Sequence, residues 1–154
     1  MASHGTIGYA SHPGMPPAAG DPIRELLQRY KTLAVVGISP KPARPSYGVA
    51  AYMRAHGYRV ISVNPNAESV FGERCYGSLA EIPGPVEVVV IFRRPEFVPE
   101  VIEDAIRKGA KAVWMQEGIT HEAAARRGRE AGLAVVEDRC ILKEHAKRFV
   151  SEGI

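Results

Sequence analysis

Leu33-Ala34-Val35-Val36-Gly37-Ile38-Ser39-Pro40-Lys41-Pro42-Ala43-Arg44-Pro45-Ser46-Tyr47-Gly48 decides how this chain is read. The first four residues are apolar without interruption, as in a strand covered on both faces, where a half-exposed strand would alternate. Gly37 ends the run with a turn, and a helical segment is expected over about 47–56. Strand, glycine turn and helix in that order begin a parallel crossover.

The same order repeats along the chain. Val60–Val63, Val86–Phe92, Ala112–Met115 and Leu133–Val136 are further apolar runs, with helical segments at about 95–108 and 120–131. Before the first run, Asp21-Pro22 combines an N-cap acceptor with a first-turn proline, and Ile23, Leu26, Leu27 and Tyr30 follow at helical spacing. Ser78 with Glu81 reads as a capping box on a short helix near 78–82, and Thr120 as the cap of the helix after it in the second half. A last helix follows Ile141, supported by Glu144 four residues before Arg148. The predicted fold is α/β: a Rossmann-like, doubly wound parallel sheet of about five strands with helices on both faces.

A length of 154 residues suits one core. Residues 1–20, rich in Gly, Pro, Ser and Ala, bury too little to fold and are expected to form a disordered tail ahead of one domain over 21–154. A net charge of +3 and a pI of about 9.0 fall short of a nucleic-acid binder but suit an anionic small ligand. No apolar stretch is long enough to cross a bilayer, and the N-terminus has no secretory pattern, so a cytoplasmic protein without membrane or nucleic-acid partners is expected. Cys75 and Cys140 form no CxxC pair, and the histidines have no metal-ligand spacing.

In such sheets ligands bind beyond the carboxyl ends of the strands, where strand order reverses. After the first strand, Gly37 permits a tight exit, Ile38 and Ser39 follow it, and Lys41 and Arg44 bring charge. Ser46 and Tyr47 open the next helix, whose N-terminus favours an anion. The loop reads as a diphosphate cradle or as a proline-rich surface loop. It is no dinucleotide fingerprint, because Ser39 and Pro42 stand where GxGxxG needs glycines. The second strand ends in Asn64-Pro65-Asn66, without the carboxylate that would hold the ribose of NAD. Phe92-Arg93-Arg94 places two guanidiniums at the third strand end, either on a phosphate or as a solvated pair with Glu96 nearby. Gln116-Glu117-Gly118 ends the fourth strand, and Glu117 reads as a ligand acceptor in preference to a lone general base. Cys140, beside Arg139 at a helix start, is either a small buried residue or a thiol with a lowered pKa.

Together these positions resemble the small CoA-binding proteins of the CoA-binding-domain family of bacteria and archaea. The resemblance runs from about Asp21 to Arg148. It rests on Val35–Ser39, Arg44–Val49, Val63-Asn64-Pro65, Phe92-Arg93-Arg94, Val113–Gly118 and Asp138-Arg139-Cys140 in this order and spacing. It implies the fold of the N-terminal domain of the succinyl-CoA synthetase α-subunit, with coenzyme A or an acyl-CoA as ligand. Gly37, Ser39, Arg44 and Ser46 would lie along the diphosphate, and Asn64 and Pro65 beside the nucleotide. Phe92 with Arg93 or Arg94 would border the adenosine, and Gln116 to Gly118 the pantetheine arm. The synthetase's phosphorylated histidine sits on a second domain that this length does not hold. The expectation is therefore a stand-alone binding module without evident catalytic machinery, working with a partner enzyme or as a homo-oligomer. Two other readings stay open: an NADP-linked oxidoreductase, and a thiol-redox protein forming a CoA disulfide at Cys140.

Overall fold

The computed structural model describes residues 20–150. Apart from Gly20, the tail expected at 1–20 lies outside the described residues. Helix α1 (Pro22–Arg29) begins as its sequence demands, with Asp21 Oδ1 accepting the Arg24 N–H at 3.2 Å and Pro22 in the first turn. The chain continues through β1 (Thr32–Val36), α2 (Pro45–Ala55), β2 (Arg59–Val63), a small hairpin of β3 (Ser69–Val70) and β4 (Glu73–Arg74), and β5 (Val88–Ile91). It ends with α3 (Val98–Lys108), β6 (Ala112–Met115), α4 (Glu122–Glu130), β7 (Ala134–Val136) and α5 (Ile141–Phe149).

Five strands form one parallel sheet in the order β2-β1-β5-β6-β7, giving the expected α/β, Rossmann-like architecture. The apolar runs are continuous because both faces are covered. Leu33, Val35, Val90, Trp114 and Val136 pack towards α1, α2 and α5, while Ala34, Val36, Ile91, Met115 and Val135 pack towards α3 and α4. Strand order reverses between β1 and β5, so the ligand crevice of this topology opens there.

Local chemistry corrects several expected boundaries. Helix α2 starts at Pro45, two residues early, because proline needs no N–H partner in a first turn. The segment opening at Pro95 is a 3-10 turn over Pro95–Phe97 before α3 proper. His121, and not Thr120, caps α4: its Nδ1 accepts the Ala124 N–H at 3.1 Å. The capping box at Ser78 does not form. Glu81 instead accepts the Gly77 N–H at 3.0 Å over a single 3-10 turn, Leu79–Glu81.

The β3–β4 hairpin is new relative to the sequence reading. Its turn residues Phe71 and Gly72 both have positive φ, 59° and 73°. A phenylalanine there is strained, but its ring lies 4.6 Å from Tyr47 and 4.6 Å from the Arg54 guanidinium carbon, contacts that hold the turn.

Two side-chain clusters fasten the terminal helix. Arg148 donates to Asp21 Oδ2 at 2.7 Å and to Glu144 Oε1 at 2.6 Å, joining α5 to the cap of α1. Burial alone would raise the Glu144 carboxyl, but the Arg148 hydrogen bond and the charges of Lys147, Arg148 and Arg139 hold it below its ordinary value. Next to Glu144 in the chain, the buried His145 shares a 2.8 Å hydrogen bond with the Tyr52 hydroxyl and lies among Tyr58, Phe149 and His56. Burial, with the nearby His56 and Lys31 charges, lowers its pKa. Burial likewise pushes the Tyr58 phenol up to about 12, where it donates to Leu27 O.

Candidate ligand-binding site

Gly37 sits where β1 and β5 leave the sheet together, and the backbone there leaves no room for a side chain. Its φ is +91°, and a Cβ at this position would stand 2.5 Å from the Phe92 carbonyl oxygen. The Gly37 N–H donates to Val63 O at 2.9 Å and Phe92 N–H to Val36 O at 2.8 Å, so three strand exits are pinned side by side.

From that point the 37–46 loop is held by its own polar groups. Ser46 Oγ accepts the Ser39 N–H at 3.0 Å, Ser39 Oγ accepts the Lys41 N–H at 3.1 Å, and Lys41 O accepts the Arg44 N–H at 3.0 Å. Both serines thus shape the loop, and Ser46 is buried in doing so. Asn64 adds a latch from β2, donating from Nδ2 to Ile38 O at 2.8 Å. Ile38 itself is fully buried and contributes to the site only through this carbonyl. Tyr47 turns towards Phe71 and the core. The Lys41 and Arg44 side chains project into solvent with no partner among the described residues. The result is a rigid loop bearing two uncommitted cations.

A cavity of about 560 Å³ opens beside this loop at the ends of β1, β2 and β5. Six of its lining residues were expected from sequence: Gly37, Asn64, Pro65, Phe92, Arg93 and Arg94. The Arg93 guanidinium carbon sits 4.1 Å from the Phe97 ring centre, while Arg94 approaches Glu96 at 3.6 Å. The structure adds Gly77 and Ser78 from the loop after β4, Phe97 from the 3-10 turn before α3, and Glu100 and Asp104 from α3 itself. Glu100 and Asp104 are one helical turn apart, which is visible in the sequence, but only the packing of α3 against β5 turns them to the crevice. They bring two carboxylates to the crevice, where the end of β2 has none, and Asp104 Oδ1 also accepts from Arg107 Nη2.

Gln116, Glu117 and Gly118 lie at the end of β6, apart from this cavity. Gln116 is buried and its Oε1 accepts the Ile141 N–H at 3.0 Å, capping α5. Glu117 is exposed and accepts from Lys143 Nζ at 2.9 Å, a hydrogen bond that holds the ammonium above its ordinary pKa. Gly118 N–H donates to Asp138 Oδ1 at 2.7 Å. Asp138 has φ of +58°, so this bond steadies an unfavourable backbone conformation. Below it, Trp114 Nε1 donates to Arg139 O at 2.7 Å. Cys140, half-buried, is the residue before α5, whereas burial raises the pKa of the Cys75 thiol beneath Asn64.

Residues 31–146 match the family described as the CoA binding domain. The uncharacterised protein YneT of Bacillus subtilis is 41% identical over 124 residues, covering 80% of this chain and 92% of that protein. Acetate–CoA ligase [ADP-forming] II of Archaeoglobus fulgidus is 31% identical over 122 residues, 77% of this chain, which spans only 17% of the ligase. Among solved structures, a hypothetical protein from Pyrococcus horikoshii is 46% identical with a TM-score of 0.79, covering 81% of this chain and 88% of that one.

Proposed function

Because this chain belongs to the CoA-binding domain family, we propose that it binds coenzyme A or an acyl-CoA as a stand-alone module at the β1–β5 switch point. The observation that carries the proposal is the junction of a nucleotide-sized cavity with a rigid loop whose two cations, Lys41 and Arg44, have no partner among the described residues. In this reading the nucleotide end occupies the cavity between Pro65 and Phe97. Arg93 and Arg94 meet its 3′-phosphate, and Glu100 accepts from hydroxyls. The diphosphate runs along Lys41, Arg44 and the N-terminus of α2. The pantetheine arm then passes towards the β6 end, where the Gln116 amide nitrogen keeps its donors. No residue is assigned a catalytic role. No helix among the described residues is long and apolar enough to cross a membrane, and a cytoplasmic setting completes the proposal.

A thermal-shift panel of CoA, acetyl-CoA, NAD and NADP tests it. Ligand at 100 times its dissociation constant adds about 2.7 kcal/mol, which raises the melting temperature of a domain this size by about 5–10 °C. A shift with NADP and none with CoA overturns the reading and favours the oxidoreductase. The half-buried position of Cys140 before α5 keeps the thiol reading in play. Mass spectrometry after incubation with oxidised CoA should then show an adduct that Cys140→Ala lacks, and an unmodified chain makes Cys140 structural.

A further inference from the structure

A second groove, of about 670 Å³, runs along the outer edge of β2, on the far side of that strand from the switch point. Its floor is the strand itself, one wall is α2 at Ala51 and Arg54, and the other is the hairpin at Glu73 and Arg74. Because β2 ends the sheet, one side of its backbone has no strand partner among the described residues along its first half. Arg59 N–H donates inward to Lys31 O, so by strand alternation Val60 and Ser62 point their backbone groups outward. Ser62 O is already taken by Tyr76 N–H at 2.9 Å. Val60 lines the groove, and its N–H and C=O are left facing it.

The charge around this open edge is positive on balance. Arg54, Arg59 and Arg74 line the groove against a single carboxylate, Glu73, which lies 3.6 Å from Arg54. Arg74 rests only on the Tyr76 ring, and Arg59 has no side-chain partner among the described residues. An exposed edge is normally blunted or covered. Here the cations that line it would repel a second copy of the same edge, since each copy would bring the same surplus of positive charge. An extended chain carrying carboxylates satisfies both the backbone groups and the guanidiniums at once.

We propose that the β2 edge is a docking site for an acidic, extended peptide segment of a partner protein, added to the sheet as a sixth strand. The incoming backbone pairs with Val60, and its carboxylates meet Arg59 and Arg74. The site adjoins the proposed ligand cavity through the chain from Asn64 to Ser78, because Asn64 N–H donates to Tyr76 O at 2.8 Å and Gly77 and Ser78 line that cavity. The proposal does not depend on which ligand the cavity takes.

Fluorescence anisotropy with short labelled peptides tests it, one alternating glutamate and valine, one alternating lysine and valine, and one acidic peptide N-methylated at alternate amides. The acidic peptide is expected to bind, and the lysine and N-methylated peptides are not. Arg59→Glu and Arg74→Glu should each weaken binding about tenfold or more, the scale of one charge-assisted contact. Both side chains are exposed, so melting temperatures should stay near that of the parent. Val60→Pro, which removes the outward N–H, should abolish binding. If that variant fails to fold, the charge reversals and the N-methylated peptide carry the test without it. Equal binding of acidic and basic peptides, no binding of the acidic one, or unchanged affinity in both charge reversals overturns the proposal. So does sedimentation showing a dimer that Arg59→Glu strengthens or dissociates, since the edge then belongs to a second copy.

Discussion

Replacing Gly37 by alanine tests the geometry on which the ligand site depends. The added Cβ would lie 2.5 Å from Phe92 O and 3.0 Å from Phe92 C, both backbone atoms that cannot swing aside. The φ of +91° adds a conformational cost of about 1–2 kcal/mol for any L side chain. Forcing β1 and β5 apart at their exits adds about 1–3 kcal/mol of overpacking. The sum, about 2–5 kcal/mol, is a large share of the roughly 5–15 kcal/mol that holds a typical domain together. Gly48→Ala is the matched control: that glycine lies in α2 with nothing within 4 Å of the added carbon and no positive φ. It should stabilise the chain by about 0.5–1 kcal/mol. Urea unfolding of the two variants, followed by the fluorescence of the buried Trp114, gives both values on one scale. Calorimetry with CoA on folded Gly37→Ala should show weaker binding, because the β1 and β5 exits no longer meet. If Gly37→Ala unfolds within about 0.5 kcal/mol of the parent, the range of an ordinary surface change, the close approach of the strands is not what requires glycine.

Three further outcomes follow from the same structure. Arg44→Ala should reduce CoA affinity by about tenfold or more while leaving the melting temperature unchanged, since its side chain has no partner among the described residues; equal affinity by calorimetry removes Arg44 from the site. Arg148→Ala should cost about 3 kcal/mol in urea unfolding, the lower end for breaking a buried pair, because Lys147 and Arg139 remain near Glu144; a loss below about 1 kcal/mol would make the clasp an ordinary surface pair. His145, with its folded pKa below 6.5, binds its proton more readily when unfolded. Its stability contribution is therefore complete above pH 6.5 and declines as pH falls from there to the folded value, by at most about 1.4 kcal/mol per pH unit. The lowered Asp21 and Glu144 carboxyls give the same sign, but only below their ordinary values of 3.8 and 4.5. His145→Gln should flatten the slope below pH 6.5 in thermal melts, and an unchanged slope would assign it to another group.

The apolar runs and the turn chemistry at Asp21-Pro22 and Gly37 specify strands, helices and their alternation, because they act through near neighbours and a fixed period. The loop cations, the latch residue Asn64 and the basic pair after β5 are legible for the same reason: in a parallel sheet every strand end lies on one rim, so position in the chain gives position at the site. Phe97, Glu100 and Asp104 are not legible as site residues, since helical spacing shows that they share a face but not which face turns to the crevice. Gln116 and Glu117 look alike in sequence as ligand residues. Packing alone commits one to capping α5 and the other to Lys143. The β3–β4 hairpin escapes for a related reason: its two-residue strands carry no period, and its turn is held by Tyr47 and Arg54 from another element. The sequence by itself therefore determined the α/β order, the parallel sheet and the rim that carries the proposed ligand site, all consequences of short-range sterics and burial. Which side chains remain free to meet that ligand, and which edge of the sheet stays open, only the tertiary structure decided, because hydrogen bonds between distant segments compete for the same polar groups.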